Sequence, residues 1–299
     1  MTSLPKHIKY KTWAGILVKG ETKWEPSTVK PENHLEKATW LTSAVEGGAM
    51  FGTVQSYDGA GISAGLEHTI AVLPKSMEQG DLWKVLSKID EGLPDTLPSW
   101  AAMKQMFDTV GWYLDTKGVL RKKTTGAVVP AAEIRNEVAP VGGVVPETGP
   151  NFDQAVRWAT VFNRLFEDPA TFQIQIRVTK NNLLNSHKDL ESRVYSRFGG
   201  LENASAAVVG GNLRPEIDLA MGFYHSFSVN APTKARAVLS QTLDMPGLGA
   251  VDFSKALIRN LGTSTYGKWK ERYTRTRTLA KTSGLFSQDL FNSIAPVSL

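Results

Sequence analysis

The stretch 33–68, NHLEKATWLTSAVEGGAMFGTVQSYDGAGISAGLEH, predicts a helix followed by a β-hairpin. Apolar residues recur at helical spacing over its first third, and Asn33 with Glu36 three residues later resembles a capping box. The Gly-Gly pair that follows has the backbone freedom that a helix C-terminus needs. The pattern therefore predicts that Glu46 lies in the last turn of the helix.

The segment after the two glycines has the composition of a hairpin. Residues 51–56 are rich in β-branched and aromatic side chains, DGAG at 58–61 has turn composition, and residues 62–68 can return as a second strand. Asp58 is then expected at the hairpin tip. An ordinary helix and hairpin with two solvated carboxylates would fit the same pattern, so spacing alone leaves both interpretations open.

Two carboxylates in these positions suit the hydrolysis of a glycosidic bond, which needs a protonated group on one side of the bond and a charged or water-holding group on the other. The negative end of the helix dipole disfavours an ionised Glu46 and is expected to raise its pKa, as a general acid requires. Asp58, in a polar turn, is expected to stay ionised.

The residues of this stretch also resemble a known superfamily. The run Glu46, Asp58, Ser63, Gly65 and His68 is similar to the active-site helix and hairpin of phage-type muramidases. The DGAGISAG segment resembles the hairpin of chitosanases and of goose-type lysozyme relatives, which with lytic transglycosylases belong to the lysozyme-like superfamily. Here the interval between Glu and Asp is longer than in the compact phage enzymes, and a serine stands where many have threonine.

The resemblance implies an α+β, mostly α-helical fold, lysozyme-like and two-lobed, with a small β-hairpin at the active-site cleft. It implies one catalytic domain over 1–299, with an N-terminal lobe at about 1–115 and a helical C-terminal lobe at 151–299. Between them, residues 116–150 are rich in Pro, Gly and Val and are interpreted as an ordered excursion rather than a linker.

The resemblance also implies roles for individual residues. Glu46 protonates the leaving oxygen, Asp58 and Ser63 hold the attacking water or stabilise the transition state, and His68 braces the hairpin. If Asp58 is not suitably positioned, Glu46 alone can act as acid and then base, and the enzyme would be a lytic transglycosylase. The implied enzyme is a peptidoglycan hydrolase that cleaves between N-acetylmuramic acid and N-acetylglucosamine. It would be a bacteriolytic muramidase, either an endolysin or a virion-associated enzyme.

Substrate contacts are predicted at five positions. One of them, His68, also belongs to the hairpin run named above. The phrase FYHSFSVN at 223–230 resembles the aromatic and Asn segment that borders the sugar subsites of goose-type lysozymes; a buried core position for its tyrosine is the alternative. The predicted substrate-binding residues are Gln55, Tyr57, His68, Tyr224 and Asn230.

Composition limits which cofactors and which cellular locations can be expected. The 299 residues include no cysteine and five histidines without close metal-ligand spacing, so no metal or other cofactor is predicted. No apolar run of membrane-spanning length and no apolar signal-peptide core is present. We expect synthesis in a host cytoplasm and action at the bacterial cell wall after release by a phage holin or delivery in a virion.

Positive charge is concentrated near the C-terminus. Between positions 266 and 281 six basic residues face one acid, which equals the net charge of +5 of the whole chain. This stripe suits contact with an anionic polymer such as peptidoglycan, but a solvated helix face is equally compatible. A non-catalytic virion protein that binds cell wall or nucleic acid is therefore the alternative function. A chitosanase fits less well because its cleft must attract a polycation.

No obligate protein partner is predicted, and the protein is expected to be a monomer.

Helical periodicity covers much of the remaining chain. Residues 170–182 alternate like a strand but are predicted as helix, because lysozyme-like relatives are helical there. The predicted helices outside the opening stretch are 81–89, 99–114, 151–166, 170–182, 190–198, 202–209, 215–227 and 232–242.

Overall fold

The computed structural model is mostly helical with small antiparallel sheets, which confirms the α+β, mostly α, class. It describes residues 5–10, 13–56, 60–66, 69–73, 75–93, 95, 97–139, 148–198, 215–263 and 269–293. Among these residues no helix has the length and apolarity needed to cross a membrane.

The secondary structure consists of short strands in the first half and helices throughout. The strands are β1 (Lys6–Tyr10), β2 (Trp13–Val18), β3 (Val54–Gln55), β4 (Ser63–Ala64), β5 (Thr69–Ile70), β6 (Val72–Leu73), β7 (Glu78–Gln79), β8 (Trp112–Leu114) and β9 (Leu120–Lys122). The helices are α1 (His34–Gly47), α2 (Leu82–Gly92), α3 (Pro98–Thr109), α4 (Ala131–Val138), α5 (Pro150–Phe166), α6 (Pro169–Phe198), α7 (Pro215–Ser228), α8 (Pro232–Asp244), α9 (Ala250–Gly262), α10 (Trp269–Thr282) and α11 (Gln288–Ser293).

The chain divides into two compact units whose boundaries differ from the predicted lobes. Residues 1–23 and 50–178 form the first unit, and residues 24–49 and 179–299 form the second. Helix α1, predicted within the N-terminal lobe, belongs to the second unit because it packs extensively against α7. Helix α6 begins in the first unit and ends in the second.

The first unit is built on a five-stranded antiparallel sheet in the order β1–β2–β3–β4–β5. The predicted hairpin strands at 51–56 and 62–68 appear as the shorter pair β3 and β4. Helix α5 packs against β2, β3 and β4. Its Trp158, Phe162 and Phe166 are fully buried at helical spacing, so the core of this unit includes the interface between sheet and helix.

The second unit is centred on α7, as its nearly continuous apolar sequence predicts. Helices α1, α8, α9 and α10 pack around it. Gly222 allows close approach to α1, because a Cβ at this position would lie only 3.1 Å from Leu41 Cδ2. Phe223 and Phe227 are fully buried on the same helix. The apolar side chains therefore bury most of the surface of α7, which fixes α1 and α10 beside it.

The predicted start of α1 is confirmed in its main feature. The Asn33 side chain accepts a hydrogen bond from the Glu36 backbone N–H at 3.0 Å, which caps the helix. The second half of a capping box is not formed, because the Glu36 carboxylate accepts instead from the Glu32 backbone N–H at 2.8 Å. Glu36 also pairs with Lys180 of α6, and this ion pair draws its side chain away from the cap.

The predicted C-terminal boundary of one helix is wrong. The helix predicted over 99–114 ends at Thr109, because residues 112–114 pair as β8 with β9 and bury Trp112. The Ser99 side chain does not cap this helix, and its hydroxyl contacts Asp168 at 2.8 Å. Helix α5 likewise begins after Gly149 without a side-chain cap. Proline at the first position starts both helices, since it lacks the N–H that a cap would satisfy.

The alternating run 170–182 is helical, as predicted, and is continuous with 190–198 in α6. Its alternation of apolar and polar residues is typical of a strand, but the pattern is misleading because several of the polar side chains are buried in the helix. Gln175 Nε2 donates to the Phe166 carbonyl at 2.9 Å and to the Thr171 hydroxyl at 3.0 Å, so hydrogen bonds satisfy the amide nitrogen of this side chain inside the core. The segment predicted as an ordered excursion, 116–150, contains β9 and α4, whereas 140–147 and the predicted helix 202–209 lie outside the described residues.

Candidate functional site

Glu46 occupies the last turn of α1, as predicted. The helix ends because Gly48 adopts a left-handed conformation with φ 75° and its N–H donates to the Ala44 carbonyl at 3.2 Å. The preceding turns of α1 are buried, but the Glu46 side chain is 22% exposed. A buried helix therefore carries one carboxylate to the surface at its negative end.

Two side chains from distant parts of the sequence contact the Glu46 carboxylate. Asn230, in the turn between α7 and α8, has its amide Nδ2 3.2 Å from Glu46 Oε1. Arg272 of α10 donates from Nη2 to the same oxygen. The structure thus brings together two predicted site residues, Glu46 and Asn230. It adds an arginine that the sequence analysis assigned only to the basic stripe.

A second arginine of α10 reaches the same helix end. The Arg275 guanidinium donates to the Ala44 backbone carbonyl at 3.2 Å. Arg272 also donates from Nε to the Ser226 carbonyl of α7 at 2.6 Å, and only 9% of its side chain is exposed. The C-terminus of α1, where unpaired carbonyls carry partial negative charge, is therefore covered by two guanidinium groups.

Of the hairpin residues in the prediction, Gln55 and Ser63 belong to the first unit. Asp58, Tyr57 and His68 lie outside the described residues. Gln55 and Ser63 are directly opposite each other in the pairing of β3 with β4. Gln55 is half-buried, whereas Ser63 is fully buried, so its hydroxyl does not reach solvent in this conformation.

Tyr224 is a core residue rather than a substrate contact. Its side chain is fully buried in α7, and its hydroxyl is hydrogen-bonded to His187 Nδ1 at 2.7 Å. Burial also raises the pKa of the Tyr224 hydroxyl. The predicted sugar contact is wrong because a buried, bonded hydroxyl cannot meet a ligand from solvent.

A buried polar network in the second unit was missed by the sequence analysis. Glu191 of α6 is fully buried and contacts His225 of α7 and His34 of α1, the latter at 3.3 Å. Burial opposes its charged form, but hydrogen bonds from His225 and His34 overcome this effect and hold the pKa of Glu191 below its usual range. Tyr195 adds a hydroxyl 2.7 Å from His34 Nδ1. Sequence separations of 34 and 157 residues left no local signal for this cluster.

The predicted basic stripe coincides with α10 from Trp269 onward, and 266–268 lie outside the described residues. Lys270, Arg275 and Lys281 are exposed, whereas the intervening Tyr273 is buried. The helix is thus amphipathic, with a basic outer face and an apolar inner face.

The arrangement around Glu46 can serve proton transfer or anion binding. A partly exposed carboxylate at a helix C-terminus can donate a proton, and the nearby amide and guanidinium can bind a polar ligand. In the described part of the chain no group of three or more His, Asp or Glu side chains is arranged to hold a metal ion. Glu46, Asn230 and Arg272 are therefore the strongest candidate site in the second unit.

No family model, curated protein or solved structure matches the chain.

Proposed function

We propose that the protein is a glycoside hydrolase that cleaves the β-1,4 bond between N-acetylmuramic acid and N-acetylglucosamine in peptidoglycan. The observation that carries the proposal is the contact of Asn230 with Glu46 at 3.2 Å. The resemblance assigned the acid role to one of these residues and a sugar contact to the other, although 184 residues separate them. A substrate-binding role for Asn230 requires that this residue lie beside Glu46, the proposed acid.

The chemistry assigns Glu46 the role of general acid. Its carboxyl group protonates the glycosidic oxygen as the bond to the leaving sugar breaks. Asn230 can orient this carboxyl group or a sugar hydroxyl through its amide. The water-holding role of Asp58 rests on the resemblance alone, as does delivery to the cell wall by a holin or a virion. The same role is not proposed for Ser63, because its hydroxyl is fully buried.

The decisive variant is Glu46→Gln, which keeps the shape of the side chain and removes the transferable proton. We expect the release of soluble fragments from purified peptidoglycan to fall by about 10²- to 10⁴-fold, the usual contribution of a general acid. Glu91→Gln is the matched control, because Glu91 is an exposed carboxylate at the end of α2 that pairs with Lys88 at the surface. Full activity in Glu46→Gln would overturn the proposal.

Product analysis separates hydrolysis from the transglycosylase alternative. Mass spectrometry of the digested peptidoglycan should detect reducing ends if water attacks the bond. Anhydro-muramyl ends would instead identify the hydroxyl of the substrate as the nucleophile, with Glu46 acting as acid and then base.

A binding protein without catalysis is the second candidate, and the Arg272 contact favours it. A salt bridge requires the carboxylate form of Glu46, whereas a general acid requires the protonated form. A non-catalytic protein would bind peptidoglycan or nucleic acid in a strongly salt-dependent manner and leave every bond intact.

A further inference from the structure

We propose that Arg272 exchanges partners when ligand binds: its guanidinium leaves Glu46 and pairs with a carboxylate of an acidic β-1,4-linked glycan. Arg272 would thus make the site selective for carboxylated sugars. The exchange would also release Glu46 from its salt bridge. The inference rests on the proposed function for its glycan ligand, but it concerns binding and can be tested without bond cleavage.

The position of Arg272 supports such a role. Its Nε is fixed on the Ser226 carbonyl, and its Nη2 points to Glu46. Nη1 has no partner among the described residues. The Nε contact anchors one edge of the guanidinium, so a small rotation can move Nη2 from Glu46 to a ligand carboxylate while the group stays beside the end of α1. Guanidinium groups bind carboxylates through two parallel N–H donors, which a lysine cannot reproduce.

The local charges accommodate an anionic ligand. In the described part of the chain, the charged side chains that contact this helix end are Glu46 itself and Arg272 and Arg275 from α10, while Asn230 contributes a neutral amide. One positive charge is therefore in excess. A ligand carboxylate would be attracted by this excess and would compete with Glu46 for the same guanidinium.

The exchange explains how a paired carboxylate can become a general acid. When the ligand carboxylate occupies Arg272, Glu46 loses its cation at the negative end of α1 and becomes buried under the ligand. Both changes favour its neutral form, so it takes up one proton from solvent. The overall step binds one anionic ligand and one proton and leaves the net charge of the site unchanged.

The test compares two ligands of equal length. One is the muropeptide disaccharide N-acetylglucosaminyl-N-acetylmuramic acid with its peptide carboxylates, which lacks the bond that the enzyme is proposed to cut. The other is N,N′-diacetylchitobiose, called chitobiose below, which is neutral and carries no carboxylate. Calorimetric titration in two buffers of different ionisation enthalpy measures both affinity and proton uptake.

For the wild type we expect preference for the muropeptide and proton uptake that disappears in Glu46→Gln. Arg272→Gln should weaken muropeptide binding by roughly 10- to 100-fold and change chitobiose binding by less than about twofold. Lys281→Gln is the matched control, because it removes the same charge from an exposed position of the same helix. It should change neither affinity by more than about twofold.

Arg272→Lys serves as a second variant that keeps the charge if Arg272→Gln does not fold. It should bind the muropeptide several-fold more weakly than the wild type and still prefer it to chitobiose. Equal losses for both ligands, or unchanged muropeptide binding in Arg272→Lys, would overturn the inference. Proton-linked muropeptide binding without peptidoglycan cleavage would instead refute the proposed hydrolase and leave the exchange intact.

Discussion

Gly80 shows how one residue can limit the packing of the first unit. Its N–H donates to the Ala71 carbonyl at 2.8 Å, which holds the backbone beside β5. A Cβ at this position would lie 2.1 Å from the Ile70 carbonyl oxygen, far inside van der Waals contact. Because the Gly80 backbone and the Ile70 carbonyl both belong to hydrogen-bonded segments, neither can move without breaking hydrogen bonds.

Gly80→Ala should therefore lower the free energy of unfolding by about 1–3 kcal/mol, the usual range for forced overpacking. Urea denaturation followed by tryptophan fluorescence measures this change. Gly249→Ser is the control, because a Cβ there meets nothing within 4 Å and serine is a good residue for the N-cap of α9. A neutral Gly80→Ala would mean that the chain relaxes at this turn.

His187 links stability to pH. Burial, assisted by the neighbouring His225, lowers the pKa of His187 to about 4. An unfolded chain has an ordinary histidine pKa of about 6.5, so folding favours the neutral ring. The stabilisation is complete above pH 6.5 and is lost as the pH falls toward 4.

We expect the wild type to lose about 2 kcal/mol more stability than His187→Gln between pH 7 and pH 4.5. Glutamine can keep a hydrogen bond with the Tyr224 hydroxyl but does not titrate. Urea denaturation at a series of pH values gives the two curves. Parallel curves would show that a group other than His187 causes the acid sensitivity.

Helix α10 combines two kinds of basic residue. Arg272 and Arg275 contact the end of α1, whereas Lys270 and Lys281 are on the exposed face. Long-range attraction by exposed charges concentrates a protein on a polyanionic surface and contributes little to transition-state stabilisation. The two lysines are thus the residues to change in a test of surface attraction.

On the proposed function, the double variant Lys270→Gln and Lys281→Gln should weaken binding to intact sacculi and activity on them. Activity on short soluble muropeptides should remain close to that of the wild type. The difference should shrink as salt rises, because exposed charges are screened beyond about 10 Å at 0.1 M ionic strength. An equal, salt-independent loss on both substrates would indicate that the lysines support the fold.

The network around Glu191 connects three helices of the second unit. His34 is on α1, Glu191 is on α6 and His225 is on α7, and all three side chains are fully buried. A buried ion pair contributes little net stability when complete, but removal of one partner leaves an uncompensated polar group in the core. The network therefore restricts how these helices can pack.

Glu191→Gln should lower the free energy of unfolding by about 3–5 kcal/mol, the range for a broken buried pair. Thermal denaturation by circular dichroism measures the loss. Asp189→Asn on the same helix is the control: its pair with Arg236 is mostly exposed and should contribute less than about 1 kcal/mol. Similar losses in both variants would contradict a special role for the buried carboxylate.

Local patterns predicted much of the secondary structure. The cap at Asn33, the end of α1 after Glu46, the two strands of the hairpin and the apolar α7 depend on neighbouring residues, so spacing and composition were sufficient. The boundary of α3 failed where a hairpin replaced the last helical turn. Residues 112–114 left the helical pattern because β9 offers them hydrogen-bond partners.

The sequence alone determined that Glu46 ends a helix, because a cap, a helical period and two glycines act within a few residues of one another. It could not determine what surrounds that carboxylate. Asn230 and Arg272 reach Glu46 only when α7 and α10 pack beside α1, and Tyr224 is buried by the same packing. These contacts depend on apolar surfaces that non-directional forces bring together, and such forces leave no fixed spacing in the sequence.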